Sequence, residues 1–299
     1  MTDRAPDLSV VVPSVNGWEE LRGSLSALRA QTGDVRLEIV VPERVGPEVR
    51  EPLARSCPEV RVIELAPGTT IPHMRAKGFE LARAPVVGVI EDHVIVPADW
   101  ATRMLEAHGQ GAEVVGGSVE NGATERWSDW AAFLCEYSHC LDPKAGPAEW
   151  LTGNNVTYRR ELLERYRRVI LEGGWENRLH DALRADGITL LCRPDIRVLH
   201  DKHFSVRGYL EQRYLYSRAY AGARVEGCGA ITRLGYAAGA LLLPPVLALR
   251  IISGVRKSGR YGAELIRSLP LLPIFVGSWA LGELVGSVAG PGDALGRVC

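Results

Sequence analysis

Two carboxylates and one imidazole stand together directly after an apolar run of this sequence. The run 86–90 is rich in β-branched residues and predicts a buried strand, and Glu91, Asp92 and His93 follow its last residue. Ligands of open α/β sheets bind at the carboxyl edge of the strands, where these side chains would lie. Carboxylates suit Mg²⁺ and Mn²⁺, and an imidazole shifts the preference towards Mn²⁺ or a softer ion. The tripeptide taken alone also fits an ordinary acidic turn after a strand.

Length and composition limit the class of protein in which these residues act. A chain of 299 residues can form one large α/β domain with an appendage, and 46% hydrophobic and 24% charged residues are ordinary globular values. The net charge of -1 gives no reason to expect nucleic-acid binding. The six cysteines form no CxxC pair, so reduced thiols in a cytosolic compartment are expected. The first residues carry no apolar signal-peptide core, so export of the N-terminal part is not expected.

Strands and helices are predicted to alternate along most of the chain. The apolar pattern predicts strands at 8–13, 37–42, 60–65, 86–90, 112–119, 188–192 and 196–199, and helices at 19–31, 46–57, 72–83, 100–108, 160–166 and 173–185. Such alternation implies βαβ units and a mainly parallel sheet. The segment 120–150, rich in Trp, Gly and Pro, is expected to be an irregular binding loop.

Five short motifs follow one another in a fixed order. They are Val10–Asn16, His73–Gly78, Glu91–His93 with Pro97–Trp100, Gly153–Asn155 with Arg159–Arg160, and Trp175–Leu179 with Gly187. In this order they resemble the inverting family 2 glycosyltransferases, over about residues 8–225. The resemblance implies an α/β GT-A fold, a Rossmann-like mixed sheet, mainly parallel, between helices. It predicts a GT-A domain at 1–225 and a hydrophobic helical module at 226–299.

The resemblance also implies a divalent metal, Mn²⁺ or Mg²⁺, that stabilises charge on a nucleotide diphosphate leaving group. By position, His93 would be a direct ligand, Glu91 would face the ribose or a metal-bound water, and Asp92 would contribute beside them. His200 lies where similar enzymes place a second metal- or phosphate-contacting histidine; the alternative is a structural histidine at the end of a strand.

Glu176 aligns with the catalytic carboxylate that takes the acceptor proton in such enzymes. The alternatives are Asp181, one turn further on, and an ordinary acid favoured by the dipole at a helix start. The remaining assignments implied by the resemblance are donor contacts at Pro13, Val15, Glu43, Arg75, Glu91 and Asp92 and acceptor-side contacts at Trp150, Gly153, Asn154 and Asn155. Glu43 stands where the family usually carries Asp-Asp-Gly-Ser. Arg75 could instead be a solvated helix residue.

Several further side chains have two interpretations each. Trp127, Trp130 and Trp150 could stack on sugar rings or merely pack in loops. A set of aromatic and basic residues recurs at helical spacing and could bind a phosphate or lipid headgroup or form a solvated face. That set is Tyr209, Arg213, Tyr214 and Arg218.

Two long apolar stretches, 235–252 and 269–290, lie in the last quarter of the sequence, and each is near the length of a membrane helix. The basic residues between them, Arg256, Lys257, Arg260 and Arg267, would lie on the far side of a spanning hairpin, against the positive-inside rule. In-plane helices on anionic lipid are therefore favoured. A spanning hairpin, and a helical pair packed on the catalytic domain or on a second copy in a homo-oligomer, remain alternatives.

The sequence thus predicts a metal-dependent inverting glycosyltransferase at the cytoplasmic face of the cell membrane. It would move a sugar from a nucleotide diphosphate sugar to a polyprenyl-linked or other envelope saccharide. The alternative is a non-catalytic member that binds a nucleotide sugar or a partner transferase. A nucleotidyltransferase is disfavoured because no Gly-rich phosphate loop follows the first strand.

Overall fold

Residues 5–298 are described by a computed structural model. The strands are β1 (Leu8–Val11), β2 (Leu37–Glu43), β3 (Arg61–Glu64), β4 (Val86–Val89), β5 (Val94–Ile95), β6 (Val114–Asn121), β7 (Gly146–Ala148), β8 (Val156–Arg159) and β9 (Leu190–His200). The helices are α1 (Trp18–Arg29), α2 (Pro47–Ser56), α3 (Ile71–Leu81), α4 (Trp100–Gly109), α5 (Trp127–Tyr137), α6 (Arg160–Arg165), α7 (Arg167–Leu171), α8 (Glu176–Ala185), α9 (Val206–Arg224), α10 (Ala230–Ala240), α11 (Leu243–Ser258), α12 (Gly262–Ser268), α13 (Leu272–Ala289) and α14 (Ala294–Arg297).

The strands form one mixed sheet in the order β3-β2-β1-β4-β8-β6-β9-β5, and β7 also pairs with β9. The pairs β2–β3, β1–β2 and β1–β4 are parallel, and β8 is antiparallel to both β4 and β6. Apolar β-branched residues of β1 and β4 are fully buried, as strands covered by helices on both faces require. The predicted mixed sheet with a parallel core flanked by helices is confirmed.

The chain divides into two compact units. The first holds the described residues up to Glu120 together with Pro143–Asp201, and the second holds Asn121–Asp142 and the chain from Lys202 onwards. All strands of the parallel core lie in the first unit, and α9 to α14 lie in the second. Helix α9, which ends just before the predicted boundary at 225, packs along α13 within the second unit.

Two predicted elements are wrong. The segment expected to be an irregular loop contains α5, whose residues Ala131–Cys135 are all buried; the flanking Gly and Pro residues obscured this apolar run. The two short strands predicted at 188–192 and 196–199 are one strand, β9. Pro194 stands inside it, and Ser118 Oγ donates a hydrogen bond to the Pro194 carbonyl at 2.8 Å.

A buried carboxylate, Glu38 of β2, joins β1, β3 and the end of α3. It accepts hydrogen bonds from Ser9 Oγ at 2.6 Å, from the Arg83 backbone at 2.8 Å, and from the Arg61 and Arg83 guanidinium groups at 2.7 Å. Burial opposes ionisation, but these hydrogen bonds outweigh it and lower the pKa of Glu38 from 4.5 to about 2.

We expect Glu38→Gln to reduce the free energy of unfolding by about 3 kcal/mol at neutral pH. A depressed carboxylate pKa stabilises the fold above pH 4.5, and the contribution is lost as the pH falls towards 2. Urea titrations at several pH values should therefore show wild type and variant converging in acid. The control is Glu59→Gln, whose half-exposed side chain pairs with Arg29. An unchanged stability at pH 7 would show that the carboxylate charge contributes nothing.

Candidate functional site

Three side chains with metal-ligand chemistry meet at the carboxyl end of β4. Glu91 and His93 follow β4, and His200 ends β9; β5 pairs with β9 so that Val94 lies opposite His200. His93 Nε2 lies 3.0 Å from His200 Nε2 and 3.3 Å from Glu91 Oε2, which is 4.0 Å from His200 Nε2. These ligand atoms all lie within 4.8 Å of one another. We call this group the Glu91–His93–His200 cluster.

Asp92 orients the imidazole ring of His93. Its Oδ1 lies 3.0 Å from His93 Nδ1, so a proton on Nδ1 donates to the carboxylate and leaves the Nε2 lone pair directed towards Glu91 and His200. Its Oδ2 accepts from the backbone N–H groups of Val15 and Asn16 at 2.7 and 2.9 Å, and the Asn16 amide donates to Oδ1 at 2.7 Å. Asp92 therefore ties the turn after β1 to His93.

Asp92 is fully buried, so the structure does not support direct donor contact by its side chain. The Val15 N–H, also a predicted donor contact, is already directed at this carboxylate. Asn16 is a neighbour of the site that the sequence prediction missed. It is the last residue of the motif Val10–Asn16, and its place in that motif was the signal that could have identified it.

The chemistry of the cluster fits a divalent cation. Two imidazole Nε2 atoms 3.0 Å apart repel each other unless a proton or a cation lies against them. Burial disfavours the charged form of Glu91, but His93, His200 and Arg75 beside it outweigh burial and hold its pKa well below the usual range, so it is ionised at neutral pH. Two imidazoles and one carboxylate suit Mn²⁺ better than Mg²⁺, which prefers an all-oxygen set.

Glu176 and Arg75 lie next to this cluster. Glu176 is the first residue of α8, where a carboxylate is favoured by the helix dipole. Arg75 of α3 is buried; its Nη1 donates to Glu176 Oε2 at 2.8 Å, and its Nη2 is 3.7 Å from Glu91 Oε1. Burial lowers the pKa of Arg75, but Glu176 and Glu91 more than compensate and raise it, so the guanidinium stays charged. The structure thus places Arg75 between two carboxylates and not on a solvated helix face.

The loop before β8 supplies two more neighbours of these carboxylates. A Cβ atom at Gly153 would lie only 2.4 Å from Cδ of Glu176, so only glycine lets the loop pass the carboxylate at this distance. The Asn154 amide donates to Glu91 Oε2 at 3.2 Å. Gly153 and Asn154 therefore lie between the cluster and Glu176, and their contact with the acceptor stays a prediction.

Asn155, in contrast, is completely buried. Its amide donates to the carbonyls of Ser118 and Ile196 at 2.9 and 3.0 Å, and its Oδ1 accepts from Trp100 Nε1 at 3.0 Å. It joins β6, β8, β9 and α4, and the structure does not support acceptor contact. Trp100 and Asn155 come from two different motifs, so part of the motif pattern preserves the fold and not the chemistry.

The other predicted site residues lie in varied surroundings. Pro13 is buried after β1. Glu43 is also buried; it accepts from the Gly46 N–H at 2.6 Å and pairs with Arg50, so it holds the start of α2 and presents no face to a donor. Trp150 is 40% exposed. Asp181, the alternative base, is an exposed acid paired with Arg184 and lies outside this constellation.

A cleft of about 450 Å³, open to solvent, lies beside Glu176 and Arg75. Its lining is mostly apolar: Pro72, Phe79, Val89, Val156, Tyr158, Val169, Ile170, Trp175 and Leu179 with Gly153 and Gly174. Trp175 precedes α8 and lines this cleft. The sequence analysis had considered stacking on sugar rings only for Trp127, Trp130 and Trp150. Trp130 packs on Phe133 and Tyr261 in the second unit, and Trp127 is exposed there.

A second acid–histidine group lies in the second unit. Asp129 accepts from the Phe204 N–H and from His203 Nδ1, both at 2.8 Å, and Glu125 lies 3.3 Å from His203 Nε2. Both oxygens of Asp129 are used within the protein, and Glu125 is largely exposed. This group fastens the start of α9 to α5 and offers a poorer set of metal ligands than the Glu91–His93–His200 cluster.

Comparisons with known proteins agree with this architecture. None of the curated proteins compared matches the chain. Among solved structures, the mannosyltransferase PcManGT from Pyrobaculum calidifontis, in complex with GDP-Man and Mn²⁺, matches with a TM-score of 0.52 and 17% identity over 96% of this chain and 87% of that chain. At this identity the likeness shows the fold, which is the predicted GT-A architecture. The family model for glycosyl transferase family 2 matches residues 9–167, more than half of the chain. The chain therefore belongs to glycosyl transferase family 2.

Proposed function

We propose that this glycosyltransferase is metal-dependent and inverting, and that it moves a sugar from a nucleoside diphosphate sugar to a saccharide acceptor carried on a lipid. The observation that carries the proposal is the position of Arg75, which contacts Glu176 on one side and approaches Glu91 on the other. It joins a proton acceptor to a group of metal ligands in one constellation. PcManGT binds GDP-Man and Mn²⁺, which supports a nucleoside diphosphate sugar as the donor and Mn²⁺ as the ion.

Glu176 is the proposed base. It takes the proton of the acceptor hydroxyl while that oxygen bonds to the anomeric carbon and the bond from this carbon to the diphosphate oxygen breaks. Attack opposite the leaving group inverts the anomeric configuration. Arg75 holds one oxygen of Glu176, and among the residues that the structure describes no hydrogen bond to the other oxygen is found. The ion pair orients Glu176, and one oxygen stays available to the acceptor.

Glu91, His93 and His200 would hold the cation. When bound, the cation stabilises the negative charge that develops on the diphosphate. The residues around it act by positioning: Asp92 sets the His93 tautomer, and Asn154 and Arg75 orient Glu91. The proposed order along the site is therefore cation cluster, anomeric carbon, acceptor hydroxyl and Glu176.

The apolar cleft beside Glu176 supports a saccharide acceptor. Trp175 and Phe79 offer aromatic faces that match the apolar faces of pyranose rings, and Gly153, which has no side chain, lies directly against the Glu176 carboxylate. The lipid carrier is proposed from the exposed apolar helices of the second unit, described below.

We expect a donor nucleotide sugar to bind only together with a cation, and Mn²⁺ to support binding better than Mg²⁺. A thermal-shift screen of GDP- and UDP-sugars with Mn²⁺, Mg²⁺ or a chelator tests this, because a ligand of the native state raises the melting temperature by mass action. Nucleoside monophosphates are the control, since they lack the diphosphate. Transfer products should carry the inverted anomeric configuration by NMR. No shift with any donor would favour the non-catalytic alternative, and a retained configuration would overturn the inverting mechanism.

A further inference from the structure

The second unit exposes an unusually large apolar surface. Among residues 5–298, twelve of the nineteen exposed large hydrophobic side chains fall between Ile231 and Val288, and six of these are more than 60% exposed. A concentration of exposed apolar side chains of this kind indicates an interaction site in a soluble protein. We call it the apolar face, and it consists of Ile231, Leu234, Tyr236, Leu241, Leu242, Val246, Leu249, Ile266, Leu269, Ile274, Leu281 and Val288.

Helix α11 shows how one element serves both the core and this face. Leu247, Ile251 and Val255 are buried at a spacing of four, which is one side of a helix. Val246 and Leu249, on the other side, are 55% and 66% exposed. Arg250, Arg256 and Lys257 are exposed on the same side, so this side combines apolar and cationic side chains, as in a helix that lies at a membrane interface.

Basic residues accompany the apolar face. Between residues 227 and 282 the sequence has six basic residues and a single acidic one, Glu264. Arg250, Arg256, Lys257 and Arg267 are exposed, and no carboxylate of the described chain lies within 4 Å of any of them. An apolar surface bordered by unpaired cations is complementary to a bilayer with anionic headgroups.

By length and hydropathy α13 could cross a bilayer, and α10 with α11, bent by 53°, could form a second span. The packing of α13 argues against a span. A Cβ at Gly282 would lie 2.4 Å from the Tyr214 carbonyl oxygen, and a Cβ at Gly286 equally close to that of Arg218. Ser278 Oγ also donates to the Leu210 carbonyl at 2.7 Å. α13 is thus in close contact with α9 along its length.

Helix α9 is too polar to enter the hydrocarbon together with α13. It carries Arg207, Glu211, Arg213, Arg218 and Arg224. Each charge at the centre of a bilayer costs about 3 kcal/mol or more. Some of these charges are built into the α9–α13 contact: Trp279 of α13 lies 4.5 Å from the Arg213 guanidinium, and Arg224 pairs with Glu283. Separating the helices to insert α13 would break these interactions.

The same contacts correct the predicted headgroup surface on α9. Arg213 is buried between Tyr216 and Trp279, and Tyr209 is fully buried, so neither is available to a lipid. Arg218 donates to the Gly290 carbonyl and supports the chain after α13. The cations available to headgroups are those of α11 and α12.

We propose that residues 230–289 form a monotopic membrane anchor. The apolar face lies in the outer part of one leaflet, the exposed cations of α11 and α12 contact anionic headgroups, and no helix crosses the bilayer. The leaflet is the cytoplasmic one, since the donor class is made in the cytoplasm; this clause alone rests on the proposed function. Binding to lipid does not depend on the donor or the metal, so the anchor and the metal-dependent sugar transfer fail independently; only the lipid carrier of the acceptor is shared by both proposals.

Flotation of the full-length protein with vesicles tests the anchor. We expect binding to phosphatidylcholine vesicles containing about 30% phosphatidylglycerol, and weaker binding to phosphatidylcholine alone or at high salt. The double variant Leu241→Glu/Leu249→Glu should lower the bound fraction about tenfold or more. The matched control is Val62→Glu/Leu81→Glu, two exposed apolar positions of the first unit. Equal loss in both variants would contradict a lipid-specific role of the apolar face.

Topology and self-association decide between the remaining arrangements. Gly262→Cys places a thiol in the segment between α11 and α13, where a Cβ meets no other atom within 4 Å. With protein added to sealed vesicles, an impermeant maleimide outside should label this thiol above the wild-type background; protection from the reagent would show a spanning hairpin. A lipid-free dimer that Leu241→Glu/Leu249→Glu converts to a monomer, without vesicle binding by wild type, would identify a second copy of the chain as the occupant and overturn the proposal.

Discussion

Glu176→Gln is expected to lower kcat for sugar transfer by about 10²–10⁴-fold, the usual contribution of a general base. Glutamine has nearly the same shape, so it can occupy the space against Gly153 that a larger change would disturb. It cannot accept the acceptor proton, and it leaves Arg75 facing a neutral amide. Donor binding, measured by thermal shift, should change far less than kcat.

The comparison for this prediction is Asp181→Asn on the same helix. Asp181 is exposed and pairs with Arg184 at 3.7 Å, so its replacement should leave transfer within about twofold of wild type. If Asp181→Asn abolishes transfer and Glu176→Gln does not, the proton acceptor has been assigned to the wrong residue. Equal melting temperatures of the two variants would exclude misfolding as the cause.

His200→Ala is expected to weaken Mn²⁺ binding by about 100-fold or more, since even partners outside the ligand set typically contribute 10–100-fold. Transfer should fall at low Mn²⁺ and recover in part when the ion is raised. The physical reason is the 3.0 Å approach of His200 Nε2 to His93 Nε2, which leaves His93 and Glu91 as an incomplete pair once His200 is removed. Calorimetric titration with Mn²⁺ measures this directly, without a need for donor or acceptor.

His203→Ala is the matched control, because His203 belongs to the acid–histidine group of the second unit. Its replacement should leave both the Mn²⁺ affinity and the metal requirement of transfer unchanged. The opposite pattern, with Mn²⁺ binding lost in His203→Ala and kept in His200→Ala, would move the metal site to the second unit.

The local sequence was sufficient to predict the strands of the parallel core and the edge of the sheet that carries the metal ligands. Val86–Val89 is a continuous β-branched run with glycine, as expected of a strand buried on both faces, and the polar residues after it had to lie at the carboxyl edge. Glu176 could also be recognised from the local sequence, because a family motif and the start of a helix coincide at this residue.

The direction in which each polar side chain points could not be predicted in this way. Asp92, Glu43 and Asn155 stand in motifs and look like ligand contacts, yet each is buried with its polar atoms bonded to backbone or to neighbouring side chains. Sequence spacing places a residue on an element, but only packing of other elements shows whether it faces a ligand or the interior. The long apolar stretch of α13 is a similar case, because its hydropathy is that of a span and only its contact with α9 argues otherwise.

The sequence by itself therefore determined the fold class, the family and the edge of the sheet where the chemistry is done. The tertiary structure decided which residues make up the site. His200 is 107 positions from His93, and Arg75 is 101 positions from Glu176. Periodicity and propensity describe neighbours along the chain, whereas these contacts depend on the β5–β9 register and on the packing of α3 against the start of α8. The family resemblance had named Glu91, His93, His200 and Glu176, but no local pattern contains their distances, so the geometry of the metal cluster and the Arg75 ion pair is set only when the chain is folded.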